Sequence, residues 1–334
     1  MPRVAPPHAP APRAGRSRRR RAVFAAAGTA ALLTGLGGLS ACGAPAPGIT
    51  VKPPASSSQR LPLSPVPGQL IGVSAGPDGS AWAAGNTCAS GCGTSSEADR
   101  TLILRWDGVS WSQTASPSPG RDALLLGVSA GPGNSVWAVG DSCLSRCGTT
   151  SAVYRMLILR WHGKAWSLVT GPGLGSDAYL YGVSTAPGGG AWAVGYICTS
   201  GCHTASETDQ MLILRWDGTS WSQAAAPRVG SSALLDAVSA GSGGTAWAVG
   251  SSCTPGCLAP RAASRALILH WDGTAWSQAT SPSPVGKSIL TGVSAGPGGS
   301  AWAAGYTCTP GCFAPSEANQ TLIMRWNGDT WAAG

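Results

Sequence analysis

The chain contains little charge, few histidines and almost no phenylalanine. Of its 334 residues 11% are charged, and only 4 are His and 2 are Phe. It is instead rich in small and aromatic residues, with 48 Gly and 15 Trp. This composition argues against a helical protein and for an all-β one.

A basic surface is also lacking in most of the chain. The formal net charge is +8, but seven arginines lie in residues 1–21 and two more basic residues precede position 61. Residues 61–334 hold thirteen Lys and Arg against fourteen Asp and Glu, which is a net charge of −1. We therefore expect no nucleic-acid partner.

Groups typical of catalysis and of metal binding are scarce as well. A copper oxidase would need a cluster of His and Tyr residues. Residues 61–334 contain three histidines, at unrelated positions of the repeat: His162, His203 and His270. No carboxylate stands out as one of the two that glycoside hydrolysis needs. A Ser/His/Asp arrangement is missing, and the glycine turns resemble hairpins rather than phosphate-binding loops. These absences predict a protein that is not an enzyme and that has no cofactor and no metal.

The N-terminal segment of the chain has the pattern of an export signal. An arginine run at 16–21 precedes an uncharged stretch over 22–39, and the sequence then reads Leu39-Ser40-Ala41-Cys42-Gly43. This end resembles the bacterial lipobox, and the resemblance implies a signal peptide at 1–41 and a lipid on Cys42. An uncleaved membrane-spanning helix is the alternative, because about 18 residues are just enough to span.

Residues 42–60 consist of the cysteine that is expected to carry the lipid and of a tether rich in Pro and Ser. Such a composition buries no core and acts as a semi-rigid spacer. The N-terminal segments together predict a protein on the extracytoplasmic face of the bacterial membrane, or on the cell surface, that is held to the membrane by its lipid.

The other ten of the eleven cysteines form five Cys-x-x-x-Cys pairs. Paired cysteines in an exported protein predict disulfides, each of which adds only about 2 kcal/mol because its loop is small. A zinc site is the weaker alternative, since each pair supplies two of four ligands. Bridges between neighbouring units also stay open. The predicted pairs are Cys88–Cys92, Cys143–Cys147, Cys198–Cys202, Cys253–Cys257 and Cys308–Cys312.

Residues 61–334 repeat with a period of 55 residues. All fifteen tryptophans belong to three series with this step, which begin at Trp82, Trp106 and Trp111. Self-similarity at a fixed period is typical of repeat architectures. Five units fill the segment, at about 61–115, 116–170, 171–225, 226–280 and 281–334.

Each unit contains four strand-like runs. In the second unit these are 126–130, 136–140, 156–161 and 165–168. The dipeptide His162-Gly163, which is Asp-Gly or Asn-Gly in the other units, predicts a tight type I′ hairpin turn. Four antiparallel strands per unit, repeated radially, predict a closed β-propeller of five four-stranded blades. An open β-solenoid is the alternative.

The units also resemble known propeller blades. Their runs Val-Ser-Ala, Trp-Ala-Val-Gly, Leu-Ile-Leu-Arg-Trp-Asp-Gly and Trp-Ser look like kelch-type blades. The segment Asp217 to Trp221 is similar to the Asp-box turn of sialidase-like propellers, and the tandem Trp-Ala-Val-Gly repeats resemble those of exported bacterial proteins. The resemblance implies the architecture and gives no activity, because propellers host many functions.

Two sets of side chains vary or recur in a way that suggests a role. One set lies on the third strands, next to the second tryptophan of each unit, and we expect its members to stack on indole rings of an adjacent blade. These residues are Arg105, Arg160, Arg215, His270 and Arg325. The loops that contain the cysteines share one rim of the propeller, which we take as the binding face because long loops carry recognition more often than tight turns. The candidate ligand-binding residues of that face are Glu97, Asp99, Tyr196, Glu207, Asp209, Tyr306, Phe313, Glu317 and Asn319. Ordinary loop residues inherited by duplication would give the same pattern.

The sequence thus predicts a monomeric, lipid-anchored binding module that recognises a glycan or a protein of the cell envelope. Five near-identical units would give multivalent binding to a polymer. A structural platform in the envelope is one alternative, and a secreted glycosidase or oxidase is a further one.

Overall fold

The computed structural model describes residues 66–92, 98–175, 177–204, 207–254, 263–282, 287–308 and 319–333. These residues form five four-stranded antiparallel sheets, each built from four strands that are consecutive in the chain. The predicted all-β fold with five four-stranded blades is confirmed. Among the described residues the helical segments are three short 3₁₀ turns, at Pro132–Asn134, Ser242–Gly244 and Pro297–Gly299.

The strands are numbered in chain order, four to a blade. Blades 1 and 2 consist of β1 Gln69–Ala75, β2 Ala81–Ser90, β3 Ala98–Trp106, β4 Trp111–Thr114, β5 Asp122–Ala130, β6 Val136–Ser145, β7 Val153–Trp161 and β8 Trp166–Leu168. Blade 3 consists of β9 Ala178–Thr185, β10 Ala191–Ser200, β11 Thr208–Trp216 and β12 Trp221–Gln223. Blades 4 and 5 consist of β13 Ser232–Ala240, β14 Ala246–Thr254, β15 Ala263–Trp271, β16 Trp276–Gln278, β17 Lys287–Ala295, β18 Ala301–Cys308, β19 Gln320–Trp326 and β20 Trp331–Ala333.

Tryptophans hold each blade to the next one. The ring of Trp82, on the second strand of blade 1, lies 4.9 Å from that of Trp161 and 5.3 Å from that of Trp166, both on blade 2. Such tilted and edge-on indole contacts add to the free energy gained by burying the rings. The same triplet recurs at the other three junctions, as Trp137 with Trp216 and Trp221, Trp192 with Trp271 and Trp276, and Trp247 with Trp326 and Trp331.

The third-strand arginines complete these junctions. The guanidinium of Arg160 lies 5.1 Å from the ring centres of both Trp137, in its own blade, and Trp216, in the next. Arg105 and Arg215 bridge two blades in the same way, whereas His270 stacks on Trp247 of its own blade. The predicted contacts with adjacent blades are therefore confirmed for these three arginines.

The first strands of successive blades contact one another through a serine. The hydroxyl oxygen of Ser74 accepts a hydrogen bond from the backbone N–H of Ala130 at 3.0 Å. Ser129, Ser184 and Ser239 repeat this bond to the following blades. The small side chains of these strands thus allow neighbouring backbones to approach closely.

The glycine of the Trp-Ala-Val-Gly motif lies where the first and second strands of a blade approach each other closely. A Cβ atom on Gly140 would lie 1.9 Å from the carbonyl oxygen of Leu124 on the first strand of the same blade. The register of β5 against β6 shifts beside this contact, between Leu125 and Gly127. Any side chain at position 140 would therefore push the two strands apart.

The hairpin turn between the third and fourth strands differs from our expectation. Of Asp107 and Gly108 only the glycine has a positive φ, so the turn is not of type I′. Four residues separate Trp106 from its partner Trp111, and the Asp107 carboxylate accepts hydrogen bonds from the N–H groups of Val109 and Ser110. The aspartate therefore stabilises a longer turn, and these bonds lower its pKa.

The array of blades has two uncovered ends. No packing like that of the internal junctions joins the described strands of blade 5 to those of blade 1. Trp302 is 47% exposed and Ile323 49%, although their counterparts Trp137 and Ile158 are buried in blade 2. On the opposite side of the array, Leu70 and Val73 of blade 1 are about half exposed. Ring closure, which we expected, is thus not seen in the part of the chain that the structure describes.

Three of the predicted disulfides are confirmed, and they indicate an oxidising, non-cytoplasmic compartment. They join Cys88 to Cys92, Cys143 to Cys147 and Cys198 to Cys202. Cys253 is also disulfide-bonded. Cys257 and Cys312 lie outside the described residues, as do the predicted signal peptide at 1–41 and the tether at 42–60 with Cys42. No helix that could cross a bilayer occurs among the residues described.

A tryptophan truncated at an internal junction should destabilise the protein more than the same change at the end of the array. We expect Trp137→Ala to lower the free energy of unfolding by about 3–5 kcal/mol, because it empties a buried site. Trp302→Ala should lower it by at most about 1 kcal/mol, because that ring is half exposed. Urea unfolding at low protein concentration measures both, and equal losses would contradict the packing described.

Candidate functional site

The strands at the rim that contains the cysteines are longer than the sequence predicted. The second strand of blade 2 continues past Gly140 to Ser145, and the third strand begins at Val153. Cys143 pairs with Asp122 and Tyr154 on the two neighbouring strands. Residues expected on an open loop therefore lie on paired strands, beside the first strand of the next blade.

This extension buries several of the candidate ligand-binding residues. Asp99 on β3, Asp209 on β11, Glu207 just before β11 and Tyr196 on β10 are all buried. They differ in this respect from the solvated loop residues that we expected, and the ring of Tyr196 packs on tyrosines instead of facing solvent. Of the other candidates, Tyr306 is half-buried and Asn319 is exposed. Glu97, Phe313 and Glu317 lie outside the described residues.

Four tyrosines meet at this rim, where blade 2 contacts blade 3. The ring of Tyr179 stacks on that of Tyr196 at 4.7 Å, and the ring of Tyr154 lies 5.3 Å from that of Tyr179. Tyr181 lies 5.6 Å from Tyr196 on the other side. The chain has five tyrosines in all, so most of them are concentrated here.

A histidine–carboxylate pair borders this group of rings. His203 Nε2 lies 2.8 Å from Asp177 Oδ2, and the imidazole lies 5.2 Å from the ring of Tyr154. The backbone N–H of Tyr154 donates to Asp177 Oδ1, and the backbone N–H of His203 donates to Glu207 Oε2. Arg155, whose side chain is 46% exposed, reaches Asp177 Oδ1 at 3.5 Å. The pair is thus held by backbone and charged partners on both sides.

Burial and nearby carboxylates act together on the tyrosine hydroxyls. Desolvation raises the pKa of Tyr179, and the charges of Asp141 and Asp177 raise it further. Desolvation likewise raises the pKa of Tyr196, with smaller contributions from neighbouring tyrosines, Glu207 and Asp209. Both phenols therefore stay protonated at physiological pH and can act as hydrogen-bond donors.

One group of side chains has the proximity of a cation site. Ligand atoms of Cys198, Glu207 and Asp209 lie within 4.8 Å of one another. The sulfur of Cys198 is in a disulfide and is not a thiolate ligand. Two carboxylates alone fall short of the six to eight oxygen ligands that calcium takes.

We call Tyr154, Asp177, Tyr179 and His203 the rim cluster. Sequence reasoning missed it as a unit, although one signal was available. His203 stands where the other units have Gly93, Gly148, Leu258 and Phe313, and Tyr179 stands where they have Gln69, Leu124, Leu234 and Ile289. These departures from the repeat coincide in space.

No family model matches the chain, and no curated protein does. Solved structures with a similar arrangement of strands do exist. One is titled as the structure of YjhT, with a TM-score of 0.48, 11% identity, and coverage of 78% of this chain and 82% of that one. Another is a polysaccharide lyase of family PL25, an ulvan lyase, with a TM-score of 0.48, 9% identity and coverage of 78% and 69%. A third is a thermostable family-43 glycoside hydrolase, with a TM-score of 0.41, 10% identity and coverage of 81% and 95%.

These comparisons overturn one expectation. We expected from the sequence that the protein is not an enzyme, and this is contradicted because the similar structures include a polysaccharide lyase and a glycoside hydrolase. At such low identity and TM-score they assign no reaction and no substrate to this chain.

The buried tyrosines predict a loss of stability at alkaline pH. The pKa of Tyr179 and that of Tyr196 are raised above 10 in the folded state. Their contribution to the free energy of unfolding is therefore complete below pH 10 and is lost as the pH rises further. Above that pH, Tyr196→Phe should reduce the fall in unfolding free energy by up to about 1.4 kcal/mol per pH unit. Urea unfolding across this range measures the slopes, and identical slopes in the two proteins would contradict burial of the hydroxyl.

Proposed function

We propose that this protein is a carbohydrate-recognising propeller that acts outside the cytoplasm, with its site at the rim cluster. The observation that carries the proposal is the coincidence of His203, Asp177 and Tyr154 beside the exposed Arg155. Binding sites for small polar ligands combine aromatic surface with a few well-placed polar groups. Imidazole, phenol and guanidinium groups match the many hydroxyls of a sugar as donors and acceptors.

The comparison of the five units supports a role in recognition. The blade scaffold is the same in each copy, so a side chain that only one or two copies contain is not required for packing the blade. His203 and Tyr179 are of this kind, and both lie in unit 3. The proposal therefore places one main site on the molecule, in contrast to the five equal sites that the repeat suggested.

Cleavage of the bound glycan is a second candidate function. The Asp177 carboxylate holds the imidazole of His203 at 2.8 Å, which is how a carboxylate orients a histidine for proton transfer. The phenol of Tyr154 belongs to the same cluster and is a possible proton donor to a leaving group. Recognition and cleavage would use the same residues, so one set of variants tests both.

The proposal includes attachment to the cell membrane and a ligand in the cell envelope. The confirmed disulfides support an exported protein. A lipid on Cys42, followed by the tether at 42–60, would hold the propeller at the membrane within reach of wall glycans or envelope proteins.

The lipid anchor is tested by one substitution. We expect Cys42→Ala to release the protein from the membrane fraction, because the residue that would carry the lipid is lost. Phase partition in a detergent and the intact mass of the purified protein measure this. An unchanged membrane fraction, together with an unmodified Cys42 in the parent protein, would contradict the lipoprotein proposal.

Binding is tested with a matched pair of isosteric variants. Asp122 in blade 2 accepts a backbone hydrogen bond from Asp99 as Asp177 does from Tyr154, but Gly148 stands there in place of the histidine. We expect Asp177→Asn to weaken binding to isolated cell-wall glycan about 10- to 100-fold, because His203 loses its charged partner. Asp122→Asn should leave binding unchanged.

The measurement is a glycan array followed by titration calorimetry with the best ligand. Release of new chain ends from the same glycan, assayed in parallel, separates cleavage from recognition. Capture of one envelope protein with no glycan bound would point to the platform role instead. Equal affinity of the two variants would contradict the proposed site.

A further inference from the structure

The two uncovered ends of the array carry apolar side chains of complementary kinds. One end, which we call the trailing face, belongs to blade 5 and exposes Trp302 and Ile323. The other end, the leading face, belongs to blade 1 and exposes Leu70 and Val73. At each of the four internal junctions, the trailing face of one blade packs on the leading face of the next. One molecule therefore presents both halves of an interface that it already contains four times.

The aromatic groups at the two ends fit this interface. Trp302 has no ring contact with another tryptophan in the described chain, whereas Trp247 lies about 5 Å from both Trp326 and Trp331. On blade 1, Trp106 and Trp111 contact each other but are less buried than Trp161 and Trp166 of blade 2. They lack the indole of a preceding blade, and Trp302 is the residue that would supply it.

Arginine and serine positions extend the match. Arg325 lies 5.4 Å from the ring centre of Trp302, so its other side is available for a second indole, as in the internal junctions. In the internal junctions a first-strand serine of one blade accepts a hydrogen bond from a backbone N–H of the next blade. Ser294 of blade 5 is the equivalent acceptor at the trailing face, and the N–H of Ala75 of blade 1 is the equivalent donor at the leading face. A junction between these ends would therefore repeat the stacked arginine and the serine bond.

The two faces are separated within the molecule because the internal junctions set the curvature of the array. Bringing blade 1 onto blade 5 of the same chain would change the angle between blades at all four junctions. Each junction contains a close-packed tryptophan triplet, and packed interiors resist such deformation. A second copy of the chain can supply the missing face without that change.

We propose that the chain associates with itself head to tail, with the leading face of one copy on the trailing face of another. Each copy then buries an apolar surface that monomeric proteins seldom expose. The two faces are different, so the contact is heterologous, and the rotation between copies decides whether it closes into a ring of copies or continues as a filament. This assembly differs from the monomer expected from the sequence, and it does not depend on the proposed function.

The test uses one substitution on each face, in the full chain carrying Cys42→Ala so that no lipid is attached. We expect the protein to associate as its concentration rises, as measured by sedimentation velocity. Trp302→Glu and Val73→Glu should each be monomeric, because each places a charge in one half of the interface. An equimolar mixture of the two variants should form a 1:1 dimer and nothing larger, since one intact trailing face and one intact leading face remain.

Leu168→Glu is the matched control, because Leu168 is also half exposed but lies on the outer strand of blade 2, away from both ends. It should associate like the parent protein, and all variants should keep the parent circular dichroism spectrum. A parent protein that stays monomeric up to its solubility limit would overturn the proposal. A mixture of the two end variants that stays monomeric would overturn it as well.

Discussion

The tryptophan triplet between neighbouring blades is the interaction on which the rest of the structure depends. Each triplet buries one indole of the preceding blade against two of the following blade. A triplet lies at each of the four junctions between neighbouring blades, so its packing sets the orientation of each blade relative to the preceding one. The serine bond between first strands and the arginine between two indoles lie at the same junctions between blades. The two rims of the array follow from the packing of the triplets, and so do its two uncovered ends.

A repeated scaffold of this kind separates stability from recognition. The buried rings and strands are nearly the same in each blade, so the chain can vary the rim that contains the cysteines without loss of packing. In unit 3 it has placed His203 and Tyr179 at positions where no other unit has a histidine or a tyrosine. These two side chains meet Asp177 of the same unit and Tyr154 of unit 2. The polar members are joined by hydrogen bonds to backbone groups, which offsets the cost of burying them. These polar contacts lie at one place on the rim, where blade 2 meets blade 3.

The blades could be predicted from the sequence because the residues that build each blade recur at the same positions in every unit. Trp82, Trp106 and Trp111 begin series that mark equivalent places, and the two cysteines of each unit lie four residues apart along the chain. The extension of the second strand to Ser145 was missed, because it depends on pairing with Asp122 and Tyr154 rather than on local composition. The rim cluster was missed for a related reason. His203 meets Asp177 across 26 positions of sequence, and Tyr154 joins them from the preceding blade. Openness of the array could not be predicted either, since the spacing of residues along a repeat carries no information on the angle between blades.

The unequal burial of five equivalent tryptophans is the most direct consequence of an open array of blades. Hydroxyl-radical footprinting of the dilute protein, followed by peptide mass spectrometry, reports the solvent exposure of each one separately. We expect fast oxidation of Trp302 and protection of Trp82, Trp137, Trp192 and Trp247. Protection of all five in the monomer would mean that blade 5 closes on blade 1, and rapid oxidation of all five would mean that the blades do not pack through tryptophan at all.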